Sequence, residues 1–121
     1  MKSLVFTLLA FLVTWQTAQA EVSMPKFFSD NMVLQRERPI RIWGRAANGE
    51  SVTVRFAGSE VSVQTDRTGR WEATLPAMAA DATPREMTVT GRADTVRFTN
   101  VVVGDVWLCS GQSNMEWRLD P

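Results

Sequence analysis

From Glu21 to about Asn100, apolar residues recur at every second position in short runs, and turn residues interrupt those runs about every eight to twelve positions. A period of two is the signature of a half-buried strand and is incompatible with an amphipathic helix, whose apolar residues recur every three or four positions. Ser51–Phe56 shows it most cleanly, with Val52, Val54 and Phe56 on one side and Thr53 and Arg55 on the other. Val61 and Val63 repeat the pattern after an Ala57-Gly58-Ser59 turn. Trp71, Ala73 and Leu75 follow the turn Asp66-Arg67-Thr68-Gly69. Ile40 with Ile42, Met87 with Val89, and Val96 with Phe98 complete the series. No helical period precedes Gly111, and the small, polar stretch Pro76–Pro84 is expected to be an exposed crossover loop. Strands of this length and spacing predict an all-β fold, an antiparallel β-sandwich over residues 21–100.

The first twenty residues stand apart. Lys2 provides a positive start, Leu4–Val13 is almost wholly apolar, and Ala18-Gln19-Ala20 supplies the small-x-small pattern of a signal-peptidase site. The apolar run is well short of the roughly 20 residues a membrane span requires. The expectation is a cleaved signal peptide over residues 1–20, an exported product (periplasmic or extracellular), and no membrane anchor after cleavage. Lys2 is the only charge in the leader, so 12 basic and 13 acidic residues remain, a net charge of −1. That balance gives no electrostatic reason to expect a nucleic-acid partner. Cys109 is the only cysteine, so no internal disulfide can form, and its place in an apolar run predicts a small buried hydrophobe. Trp43 and Trp71 can stack on sugars, but a tryptophan on a strand is more often core, and core is the expectation for both. The charges of Arg36, Glu37, Arg38 and Arg41 around Pro39 predict a solvated edge or an interface with a neighbouring domain.

Residues 101–121 carry the chemistry. The apolar run Val101–Cys109 is expected to be a strand buried on both faces, and Ser110–Ser113 to break it into a turn that starts a helix. Strand, tight turn and helix is the arrangement by which an α/β fold presents a nucleophilic serine. Ser113 at a helix start would also have its own N–H among the unpaired donors that favour negative charge. The residues alone leave a plainer alternative, since Ser113-Asn114-Met115-Glu116 fits a capping box, and Gln112 and Asn114 can be ordinary turn residues.

Gly104–Trp117, with Gly111-Gln112-Ser113-Asn114-Met115 at its centre, resembles the nucleophile block of the sialate O-acetylesterases, members of the SGNH (GDSL-like) hydrolases. Phe28-Ser29-Asp30-Asn31-Met32-Val33-Leu34-Gln35-Arg36 looks like the opening of that family's N-terminal β-domain. Trp43-Gly44, Asn48-Gly49-Glu50 and Gly69-Arg70-Trp71 look like its later landmarks. The resemblance implies that Ser113 is the nucleophile and a backbone donor to the oxyanion, that Gln112 and Asn114 line the substrate site, and that residues 101–121 open a hydrolase domain. It implies release of acetate from an O-acetylated sialic acid or a related acetylated sugar, with no metal or organic cofactor. The family's general base is a histidine in an Asp-x-x-His arrangement near the end of the hydrolase domain, and this chain contains no histidine. Asp105 and Asp120 are misplaced to substitute for it. The resemblance therefore implies a fragment of a longer esterase, inactive by itself. The alternatives are a β-module that binds glycan without chemistry, a truncation product without function, and an acetylxylan-type esterase fragment.

Overall fold

The structure, a computed structural model, describes residues 20–111. Seven strands follow in chain order: β1 (Val33–Gln35), β2 (Ile40–Arg45), β3 (Ser51–Phe56), β4 (Ser59–Gln64), β5 (Arg70–Leu75), β6 (Asp81–Thr90) and β7 (Thr95–Gly104). Among the described residues there is no helix, and the expected all-β fold holds. The strands form a five-stranded sheet in the order β1-β7-β6-β3-β4 and a two-stranded ribbon of β2 and β5. Sheet and ribbon share one core, to which β2 gives Ile40 and Ile42, β3 gives Val52, Val54 and Phe56, β5 gives Trp71, Ala73 and Leu75, and β6 gives Met87 and Val89. These are the residues the period of two singled out. Each large aliphatic or aromatic side chain removed from water there contributes about 1.5–3 kcal/mol.

The turns explain the register. Ala57 and Gly58 both have positive φ, 48° and 78°, which is the backbone of a two-residue type I′ hairpin, and β3 and β4 pair in register on either side. Between β4 and β5, Asp66 Oδ1 accepts from the backbone N–H groups of Thr68 and Arg70 and from the Thr68 hydroxyl. Gly69 completes that turn at φ 77°. Glu50 is a buried carboxylate that joins three loops. Its oxygens accept the backbone N–H groups of Ala47 and Arg92, while its own N–H reaches Thr65 Oγ1 at 2.9 Å.

Several expectations need correction. The architecture is not wholly antiparallel, because β1 pairs parallel with β7, Val33 against Val102 and Gln35 against Gly104. The stretch Pro76–Pro84 is a loop only up to Ala80. Strand β6 starts at Asp81 and passes through Pro84, which is tolerated because the ladder is irregular between Asp81 and Arg85 and asks no N–H of it. Strand β7 runs across positions 100 and 101, so the expected domain boundary falls inside a strand of the five-stranded sheet. Val101 and Val103 are buried, but regular structure stops at Gly104. Val106, Trp107 and Leu108 are exposed and so is Cys109, which is therefore not the buried hydrophobe expected. A strand buried on both faces needs neighbours on each edge and layers on each side, and the described residues supply neither beyond Gly104. The expected turn and helix at Gln112, Ser113 and Asn114, and nearly all of the leader, lie outside the described residues.

Candidate functional site

Where the chain leaves the sheet after Gly104, its path is fixed as far as Val106. The Arg36 N–H donates to Gly104 O at 2.9 Å, and the Val106 N–H donates to Gln35 Oε1 at 2.9 Å. The Arg36 guanidinium pairs with Asp105 at 2.9 Å, an exposed contact that holds the guanidinium pKa above its ordinary value. Strand β1 and the Arg36 turn thus grip residues 104–106 from one side. Asp105 is occupied as an ion-pair partner. Arg36 and Arg41 are exposed as expected, but each is paired, Arg36 with Asp105 and Arg41 with Glu72.

The second feature lies on the outer face of the β2–β5 ribbon. Because Ile40 and Ile42 point into the core, Arg41, Trp43 and Arg45 point out, and β5 answers with Arg70, Glu72 and Thr74. The register places Arg41 opposite Thr74, Trp43 opposite Glu72, and Arg45 opposite Arg70. Trp43 is 38% exposed, which corrects the expectation of a core residue, whereas Trp71 is buried as expected. Trp43 is held by Phe28, with ring planes nearly perpendicular at 5.0 Å, and by Phe27 at 5.3 Å, so the indole is braced rather than free to swing. The sequence already held the signal for this placement, since Trp43 has the opposite parity to Ile40 and Ile42.

Beside Trp43, Arg41 grips Glu72 with two parallel hydrogen bonds of 3.0 and 2.9 Å. That bond lowers the Glu72 pKa and raises the Arg41 pKa. Hydrogen bonds from Thr68 likewise lower the Asp66 pKa. Arg41, Trp43, Gly44, Gln64, Asp66 and Arg70 line an open groove of about 770 Å³, with the buried Trp71 beneath. The Trp71 indole N–H finds no acceptor among the described residues. Gly44 is there because of close packing: a Cβ would strike the backbone oxygen of Ser23 and the Trp71 ring.

No family model matches the sequence. The sialate O-acetylesterase of Homo sapiens is 31% identical over 126 residues, which cover 93% of this chain and 24% of that protein. That of Mus musculus is 34% identical over 101 residues, covering 74% of this chain and 18% of that protein. Over the stretch it spans, this chain belongs to the sialate O-acetylesterase family. A solved structure agrees: a carbohydrate acetylesterase from Xanthomonas citri superposes with a TM-score of 0.76 at 39% identity, covering 80% of this chain and 22% of that one. The chain thus spans about a quarter or less of the length of the proteins it matches.

Proposed function

We propose that this chain is the front part of an exported carbohydrate O-acetylesterase acting on acetylated sialic acids or closely related sugars, with Ser113 as its nucleophile. The observation that carries the reading is family membership across nearly all of the chain, joined to the block Gly111-Gln112-Ser113-Asn114. The apolar leader ending in Ala18-Gln19-Ala20 supports export. The β-domain holds Asp105 and Val106, in the stretch that precedes the Gly111-Gln112-Ser113-Asn114 block in the sequence, through Arg36 and Gln35, and a hydrolase domain begins beyond β7.

In the reaction, Ser113 Oγ attacks the acetyl carbonyl carbon as a histidine takes its proton, and the oxyanion is met by the Ser113 N–H. The carbon–oxygen bond to the sugar breaks, the sugar oxygen takes that proton, and water then cleaves the acetyl-serine to acetate and free serine. The base belongs to the longer protein, because this chain has no histidine. Gln112 and Asn114 flank the nucleophile as substrate-site residues. The test is acetate release from O-acetylated N-acetylneuraminic acid by the longer protein, compared with its Ser113→Ala variant. Loss of turnover with an unchanged fold supports the reading, and full turnover in the variant refutes it. Faster acetate release from acetylated xylan than from the sialate ester would move the assignment to the acetylxylan class.

A further inference from the structure

The outer face of the β2–β5 ribbon contains an unusual pair. Arg45 exchanges both of its backbone hydrogen bonds with Ser23, each at 2.8 Å, so its position opposite Arg70 is a non-hydrogen-bonded pair of the ladder. In such a pair the side chains stand closer than in the alternate kind. Two exposed arginines therefore face each other directly, which is destabilising by itself, and among the described residues neither guanidinium forms an ion pair. Asp66 is near Arg70 and its charge acts on it, but Asp66 bonds the Arg70 backbone N–H and not its guanidinium. Arg41, the third cation of the face, is neutralised by Glu72.

One step along β2 from this pair stands Trp43, braced by Phe28 and partly open to the groove. Residues two apart on a strand are about 7 Å apart. That spacing suits a six-membered sugar stacked on the indole with an exocyclic carboxylate reaching the two guanidiniums. Arginine's planar fork matches a carboxylate, and the Glu72 carboxylate and Gln64 side chain at the groove offer acceptors for sugar hydroxyls.

We propose that this face is a binding site for acidic sugars, with the pyranose on Trp43 and its carboxylate between Arg45 and Arg70. This proposal does not rest on the esterase reading, because it is measured as binding without turnover.

The test is a titration of the 121-residue chain, followed by the NMR signals of the tryptophan indoles and arginine side chains. D-glucuronic acid and N-acetylneuraminic acid are the acidic probes, and methyl β-D-glucoside is the neutral one. The site predicts a saturable shift of the Trp43 indole with both acidic sugars, and none with the glucoside at the same concentration. Arg45→Gln and Arg70→Gln each weaken binding about tenfold or more, the scale of a lost charge-assisted hydrogen bond. Arg97→Gln, on β7 in the five-stranded sheet and outside the groove, leaves it unchanged. Since relieving like-charge repulsion does not unfold a domain, both arginine variants keep the wild-type melting temperature or exceed it, which separates lost binding from lost folding. Equal binding of the glucoside, unchanged affinity in both arginine variants, or no saturable shift at tens of millimolar overturns the proposal. So does loss of acidic-sugar binding in the longer protein with Trp43 protected, which would make this face a contact between domains.

Discussion

Removing the Glu50 carboxylate should cost this small domain a large share of its stability. The side chain is only 3% exposed and accepts two backbone N–H groups, that of Ala47 at 3.0 Å and that of Arg92 from 42 positions away. The first fixes the β2–β3 turn, and the second ties that turn to the one between β6 and β7. Hydrogen bonds to a charged acceptor contribute about 1.5–3 kcal/mol each. Two effects reduce the sum in Glu50→Ala: the buried charge no longer has to be desolvated, and Arg92, being exposed, can turn its freed N–H to water. The net loss is about 2–4 kcal/mol, or a fall of roughly 10–25 °C in Tm for a domain of this size. Glu50→Gln keeps one carbonyl acceptor and loses the other, so its cost should be about 1–2 kcal/mol. Urea denaturation followed by tryptophan fluorescence measures both, as a lower midpoint with an unchanged slope. A Glu50→Ala variant within about 0.5 kcal/mol of wild type, the range of an ordinary surface substitution, would refute the reasoning.

Three further outcomes follow from named contacts. Gly69→Ala should cost at least about 2 kcal/mol, because the φ of 77° disfavours any Cβ and the added atom would lie 2.5 Å from Ala46 O; Gly58→Ala, with φ 78° but open space around it, should cost about 1 kcal/mol, and equal losses in thermal melts would contradict this. Asp81 has its pKa lowered from 3.8 to about 2 by hydrogen bonds from Thr83 and then from Arg85, so its contribution is complete above about pH 4 and is lost as the pH falls toward 2. The stability of Asp81→Asn should accordingly fall less steeply than that of wild type between pH 4 and 2, and parallel acid-denaturation curves would count against the assignment. Arg36→Ala removes an exposed ion pair and should change global stability by less than about 1 kcal/mol, yet it should speed amide hydrogen exchange at Val106, and unchanged exchange would show that Arg36 does not hold the exit segment.

The sequence made some parts of this fold legible and not others, for physical reasons. Strand β3 was readable to the residue, since Ser51–Phe56 alternates strictly and hairpin chemistry at Ala57-Gly58 closes it. The parallel pairing of Val33–Gln35 with β7 was not, because a three-residue strand shows no periodicity and its partner lies about seventy positions away. Pro84 looked like a loop residue because its tolerance depends on an irregularity in the partner strand's register. Glu50 was visible only as part of a family landmark, and its role depends on Arg92, a contact no local pattern reports. For the groove, the parity of β2 already exposed Trp43, but the facing of Arg45 and Arg70 needed the ladder register. Val106–Leu108 misled because an apolar run resembles a buried strand whether or not neighbours are present to bury it.

The central claim is that Ser113 is the nucleophile of a carbohydrate O-acetylesterase to which this chain contributes the β-domain. The most direct measurement is acetate release from O-acetylated N-acetylneuraminic acid, made on the 121-residue chain, on the longer protein that contains it, and on the longer protein carrying Ser113→Ala. Turnover is expected in the longer protein alone, with the 121-residue chain and the folded variant at background. Turnover that survives Ser113→Ala, or steady hydrolysis by the histidine-free chain by itself, would contradict it.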